Sequence, residues 1–114
     1  DPALRERIAD AHTRIEYTKL LNHRALTKIL RNEKNWPEVP LAKLQWSYLA
    51  QTSAELQVDL LGTLGLLTTG APGAVDDGKW SRLYSYYRFT SIGAGTTEIQ
   101  KNIIADRTMG LPRK

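Results

Sequence analysis

Between Leu4 and Ile29 the apolar side chains fall at Leu4, Ile8, Ala11, Ile15, Leu21, Ala25 and Ile29. Steps of three and four, with Thr18 filling one gap, place them in a single stripe along one long helix. Pro2 behind Asp1 is a start signal, because proline suits the first helical turn. The run Asn32-Glu33-Lys34-Asn35-Trp36-Pro37 is the stop, since proline cannot continue the backbone bonding and biases the residue before it. At about 1.5 Å per residue such a helix is more than ~30 Å long.

A second helix is expected from near Pro40, carrying Leu41, Leu44, Trp46, Tyr48, Leu49, Ala54, Leu56, Val58 and Leu60. Its apolar residues lie nearly all round, which places it centrally in its assembly. Gly62 and Gly65 close it, and Thr68 to Gly78 reads as a loop by composition. Asp76 or Asp77 is the expected cap of a third helix holding Trp80, Leu83, Tyr84, Tyr87 and Phe89. A fourth carries Ile99, Ile103, Ile104 and Met109 and stops at Gly110-Leu111-Pro112. No strand, internal repeat or linker is expected. The fold class is therefore all-α, an antiparallel bundle of four helices. So apolar a second helix asks for more partners than this chain supplies, which favours a fragment or an obligate oligomer.

The 114 residues suit one small domain. Cysteine is absent, which removes disulfides, thiolate metal sites and thiol catalysis and fits a reducing compartment. No signal peptide opens the sequence. Leu60 to Leu67 is the most apolar run and is too short to span a bilayer. The net charge of +4 raises nucleic acid as a partner. The signs alternate, however, at Arg5, Glu6, Arg7 and Asp10 and again at Arg31, Glu33, Lys34 and Glu38. That pattern marks a solvated face, and Arg113-Lys114 reads as a charged tail.

Glu55 and Asp59 share a helix face one turn apart. A paired-carboxylate metal centre in a bundle needs Glu-x-x-His motifs on facing helices, and none is present; no metal is expected. His12 and His23, eleven residues apart, lie on one face about three turns from each other, too far to share a metal ion. They read as surface residues. The aromatic group Trp80, Tyr84, Tyr86, Tyr87 and Phe89 reads as packing rather than a stacking platform, with Arg88 beside it able to reach an anion or to lie along the surface.

The stretch Ser91-Ile92-Gly93-Ala94-Gly95-Thr96-Thr97-Glu98-Ile99-Gln100 looks built to hold a ligand. Its two glycines let the backbone come close to another molecule. Thr96 or Thr97 can cap the following helix, and Thr97 with Gln100 fits the capping-box spacing. Free N–H groups and the helix dipole would favour a phosphate there. From these residues alone, a tight capped turn and a ligand seat stand side by side.

The run from Arg88 to Arg113, RFTSIGAGTTEIQKNIIADRTMGLPR, closely resembles the C-terminal signature of the acyl-CoA dehydrogenases, a GGT-x-EIQRNII-x-ER-x-LGLPR pattern. Ala42-Lys43 and the segment Leu60-Leu61-Gly62-Thr63-Leu64-Gly65 are similar to the start of that family's second helix and to its glycine-rich turn. The resemblance implies that residues 1–114 are the C-terminal helical bundle of a three-domain flavoprotein subunit, without its first helix. It implies FAD as cofactor, an acyl-CoA substrate, α,β-desaturation with hydride transfer to the flavin, and an electron-transfer flavoprotein or similar acceptor. It also implies a homo- or heterotetramer and a cytoplasmic location, with no nucleic-acid role and no membrane span.

By the same resemblance Thr96, Thr97 and Glu98 contact flavin, and Asp59, Leu60, Leu61, Gly62 and Thr63 reach the flavin of a neighbouring subunit. Asp59 stands where a glutamine is usual, and Thr63 replaces the second glycine. Ala94 and Gly95 would face the substrate, with the Ala94 N–H polarising the thioester carbonyl. Ala94 also occupies the position where many members carry the glutamate base, so no catalytic residue is assigned. The resemblance leaves two explanations. The base sits on an upstream helix, or the chain is a non-catalytic structural subunit of a heteromeric dehydrogenase, as in steroid-degrading forms.

Overall fold

The structure, a computed structural model, describes residues 1–34 and 36–112. The part of Asn35 in ending the first helix and the charged tail at Arg113-Lys114 lie outside the described residues. Among the described residues the chain is all-α, with helices α1 (Pro2–Leu30), α2 (Glu38–Leu61), α3 (Lys79–Tyr86) and α4 (Thr97–Ile103). Short 3-10 turns at Gly62–Leu66, Val75–Gly78 and Tyr87–Ser91 join them, and α4 runs on as a wider π turn over Ile104–Thr108.

Asp1 caps α1, its carboxylate accepting the Ala3 N–H at 2.9 Å, and Pro2 follows in the first turn. At the other end Asn32 takes a left-handed φ of 55°. The Glu33 N–H then reaches back to the Lys28 carbonyl at 3.0 Å, a closure that asparagine tolerates better than most residues. The helix α2 starts at Glu38 with Pro37 at its cap, two residues before the expected Pro40. Pro40 falls inside the first turn, where its missing N–H removes no helical bond. Gly62 closes α2 with φ 56°.

The central place of α2 is correct: α1, α3, α4 and the turns at Gly62–Leu66 and Tyr87–Ser91 all pack on it. Cross-helix pairs fix the directions. Arg7 meets Asp59, Arg14 meets Gln45 and Lys28 meets Glu38, so α1 and α2 are antiparallel. Arg88 meets Glu55 while Thr90 meets Ser47, so the chain through α3 also runs opposite to α2.

The expected stripe on α1 is only partly used. Leu21 and Ala25 are buried, whereas Ile8, Ile15 and Ile29 are exposed, as are Leu20 at 62% and Leu30 at 74%. One neighbouring helix covers one side of a cylinder, and α1 has only α2 against it for most of its length. The buried hydrophobic set is accordingly small: Leu21, Ala25, Ala42, Ala54, Leu56 and Val58.

Two further expectations need correction. Neither Asp76 nor Asp77 caps α3; Gly78 is its cap residue, in a left-handed conformation. Asp76 instead accepts the Trp80 indole N–H at 3.1 Å and Asp77 accepts the Gly70 N–H at 2.9 Å. Both aspartates have positive φ, 48° and 51°, which swings their side chains away from the first turn of α3. The fourth helix does not stay α-helical to Met109. It widens at Ile104, and Met109 bonds five residues back to the Ile104 carbonyl at 3.1 Å.

Candidate functional site

The turn between Ser91 and Thr97 is seated from below by a polar knot on α2. Thr90 is completely buried. Its carbonyl accepts the Lys43 ammonium at 3.0 Å and the Ser47 hydroxyl at 2.8 Å. Its hydroxyl accepts the Gln51 amide at 3.2 Å and donates to the Tyr87 carbonyl at 2.8 Å. Lys43, Ser47 and Gln51 are spaced by four, one face of a helix. The same spacing continues to Glu55, which pairs with Arg88 at 2.6 Å, and to Asp59, which pairs with Arg7 at 2.8 Å. The stripe is visible in the sequence as polar steps of four along an otherwise apolar helix. Its partner Thr90 carried no local signal.

Above this knot Gly93 lies on the Phe89 ring so closely that a Cβ there would sit 2.6 Å from a ring carbon. Ala94 follows with φ 56° and Gly95 with φ 89°. Those two residues reverse the chain and leave Thr96 extended, so Thr96 is the cap of α4, accepting the Ile99 N–H at 3.2 Å. The Thr97–Gln100 capping box does not form. Thr97 is already helical, and its hydroxyl lies 3.5 Å from the Ser91 carbonyl. The Gln100 amide folds back to donate to the Ala94 carbonyl at 3.0 Å.

Glu98 sits in the first turn of α4, exposed. Its own backbone N–H and the Thr96 hydroxyl, helped by Lys101 and Lys43, hold its carboxyl below the ordinary range against the opposing effect of burial. The positive end of α4 therefore carries a resident carboxylate. A phosphate placed there would meet that carboxylate as a like charge, with Lys43 and Lys101 near enough to offset it.

The second expected segment forms a separate cleft of about 650 Å³ at the far end of α2, lined by Asp59, Gly62, Thr63, Val58, Leu66 and Tyr84 among others. A side chain at Gly62 would meet open space. Leu60 is exposed and Leu61 half-buried, and neither lines the cleft. Arg7 neutralises the Asp59 carboxylate, and Arg88, stacked 4.6 Å over Tyr84, does the same for Glu55. The acidic rim is thus balanced.

The two segments do not meet. Glu98 feels the charge of Lys43, near the start of α2, and Asp59 lies sixteen residues further along that helix, about 24 Å at 1.5 Å per residue. Ala94, Gly95, Thr96, Thr97 and Glu98 form one turn; Asp59 to Thr63 form another at the opposite end.

Other expected features fall away from both. His12 and His23 are exposed on α1. Tyr86 packs its ring against Tyr87 and Phe89, at 5.8 Å and 4.8 Å between centroids, while Trp80 lies under Lys79. Among the described residues no group of three His, Asp or Glu side chains gathers as a metal site, and no helix is long and apolar enough to cross a membrane.

The fold is thus an all-α bundle in which a glycine-rich turn leads into a capped helix. Residues 1–109 match the family described as acyl-CoA dehydrogenase, C-terminal domain, and the chain belongs to that family. Acyl-CoA dehydrogenase IpdE1 of Mycobacterium tuberculosis (strain ATCC 25618 / H37Rv) is 35% identical over 115 residues, covering all of this chain and 28% of the relative. The chain thus spans under a third of the length of the curated relatives it matches. Among solved structures, the ChsE4-ChsE5 complex from Mycobacterium tuberculosis superposes with a TM-score of 0.83 at 28% identity, over 97% of this chain and 29% of that one. The Tcur3481-Tcur3483 steroid ACAD superposes with a TM-score of 0.87 over all of this chain and 30% of that one. At 22% identity it speaks for the fold alone.

Proposed function

We propose that this chain is the C-terminal domain of a cytoplasmic, FAD-dependent acyl-CoA dehydrogenase subunit that desaturates an acyl-CoA thioester between its α and β carbons. The observation that carries the reading is the turn from Gly93 to Gln100. It joins the left-handed pair Ala94–Gly95 to the threonines at 96 and 97 within a sequence that fits the family from residue 1 to 109. Thr96, Thr97 and Glu98 would border the flavin of this subunit. Asp59, Leu60, Leu61, Gly62 and Thr63 would approach the flavin of a neighbour, a division that suits their separation along α2. Bound FAD would supply the hydride acceptor. Ala94 would offer its N–H to the thioester carbonyl and stabilise negative charge there. Ala94 cannot take a proton, so the base for the α-hydrogen comes from elsewhere in the subunit or from its partner.

The test is purification of the full-length subunit, with its partner chain where one is required. The protein should be yellow and should reduce an electron-transfer flavoprotein or a dye acceptor on addition of acyl-CoA. Colourless protein that stays colourless with added FAD would count against the reading.

Ala94 favours a second reading, a non-catalytic structural subunit in a heteromeric, possibly steroid-CoA, dehydrogenase. The relative solved as ChsE4-ChsE5 is a complex of two different chains, which supports a heteromer over a homomer. Flavin stoichiometry separates the two. One flavin per two subunits of a mixed complex supports the second, and a full complement with activity in a homomer supports the first.

A further inference from the structure

We propose that Gln100 is a positioning residue that holds the Ala94–Thr97 turn in its ligand-ready shape from one helical turn away. This rests on the reading of that turn as flavin- and substrate-facing. Three observations converge on it. Ala94 has φ 56°, a left-handed conformation that a residue with a Cβ enters only at a cost. The Gln100 Nε2 donates to the Ala94 carbonyl at 3.0 Å, a bond that ties the turn closed across six residues. Gly95 leaves the room this needs, because a Cβ there would stand 2.7 Å from Gln100 Nε2. Gly95 thus serves the clamp as well as any ligand. With Thr96 fixed by the Ile99 N–H and Gly93 by the Phe89 carbonyl at 2.8 Å, Gln100 is the tie that fixes the carbonyl between them.

The clamp acts through Ala94 and touches neither cofactor nor substrate. Without it Ala94 relaxes toward negative φ, and the peptide planes of Ala94 and Gly95 rotate away from the geometry the ligand meets. The loss is therefore in ligand binding and not in global folding, since the turn opens locally at the edge of the bundle.

Full-length subunit, with its partner chain where one is required, tests this through Gln100→Ala, Gln100→Glu and Gly95→Ala. The readouts are the FAD dissociation constant, the visible flavin spectrum, and the melting temperature of the apoprotein. Gln100→Ala should weaken FAD binding by roughly five- to tenfold, the worth of one neutral hydrogen bond. Gln100→Glu, of equal size but unable to donate when ionised, should do at least as much. Gly95→Ala should match or exceed both by displacing the amide. Apoprotein melting should stay within about 2 °C for the two Gln100 variants. Unchanged FAD binding and spectrum in both Gln100 variants overturn the clamp while leaving the flavin reading intact. Equal losses of FAD binding and apoprotein stability reduce Gln100 to a structural role and overturn it too. Unmodified subunit that binds no FAD under any condition sinks the flavin reading and the clamp together.

Discussion

Replacing Thr90 by valine isolates one side-chain hydroxyl in an otherwise unchanged site. The side chain keeps its shape and volume, and Thr90 is 0% exposed, so no solvent is admitted. The backbone carbonyl that binds Lys43 and Ser47 is untouched. What goes is the oxygen between the Gln51 amide at 3.2 Å and the Tyr87 carbonyl at 2.8 Å. A buried partner left unsatisfied costs about 1–3 kcal/mol. Gln51 is half-buried and can swing toward water, and the Tyr87 carbonyl keeps its backbone partner in the 3-10 turn. No group is left fully stranded, so the loss is that of buried hydrogen bonds alone, about 1–1.5 kcal/mol, close to a tenfold shift in the folding equilibrium. Urea titration followed by tryptophan fluorescence should show a lower midpoint with an unchanged slope. Ser47→Ala should cost less, about 0.5–1 kcal/mol, because Lys43 still donates to the same carbonyl. A Thr90→Val loss below about 0.3 kcal/mol, or one smaller than that of Ser47→Ala, refutes the argument that the hydroxyl seats the turn.

The remaining predictions test charge, backbone geometry and exposed surface. Glu38 is 3% exposed and bonds Lys28 at 2.9 Å. Burial pushes its carboxyl up, but Lys28, its own backbone N–H and Arg24 together outweigh burial and hold it below the ordinary value. A depressed folded-state value means its stabilisation is present above the unfolded carboxylate pKa, near 4.5, and is lost as pH falls through the folded one. Glu38→Gln should accordingly lower the midpoint of urea unfolding at pH 7, by about 1–3 kcal/mol, and flatten the stability profile on acidification below about pH 4.5. Gly78→Ala should destabilise by roughly 2–4 kcal/mol in thermal melts, since φ is 69° and the new Cβ would lie 2.4 Å from the Thr68 carbonyl carbon. The exposed pair Arg7–Asp59 should couple by no more than about 1 kcal/mol in a double-mutant cycle; a larger value would mean the pair is shielded from solvent. The isolated 114-residue chain, with Leu20, Leu30 and Met109 exposed, should associate as concentration rises, so light scattering that reports a clean monomer at high concentration would contradict the exposure argument.

Rules that act within a turn of helix were the ones legible in the residues. Asp1 and Pro2 opened α1, Gly62 closed α2 and Gly110 stopped the last helix, each because a local conformation or a missing donor decides the matter. Errors arose where two adjacent residues were chemically equal. Thr96 and Thr97 can both cap, and only the left-handed pair Ala94–Gly95 decides which is extended. Asp76 and Asp77 are both good caps, yet their positive φ sends them to Trp80 and Gly70 instead. The apolar stripe of α1 located a face but not its cover, because periodicity reports what a helix needs to bury and not what the rest of the chain supplies. The site residues came from the family resemblance. What the resemblance did not carry was their support: Thr90 beneath the turn, Gln100 across it, and Arg7 beside Asp59.

The distance along α2 bears most directly on how a subunit of this kind is assembled. Under the proposed function, both ends of one rigid helix serve flavins, and about 24 Å separates Lys43 from Asp59. A helix cannot bend to bring its two ends to one ligand edge, so the two turns address different cofactors or one of them addresses none. Asp59 and Thr63 are the departures at one end and Ala94 at the other, so the two ends can be lost independently. On that proposal, loss of the Ala94 side would remove chemistry from this subunit's own flavin, whereas loss at Asp59 would weaken a neighbour's. In a complex of two different chains, Asp59→Gln separates them: it should tighten the partner's flavin and leave the one bordered by Thr96 of this chain unchanged. In a complex of identical chains every flavin meets both ends, one from each of two subunits, and all sites tighten alike. Equal tightening at every site of the mixed complex would show that both ends reach the same cofactor, and the rigid-helix argument would fall.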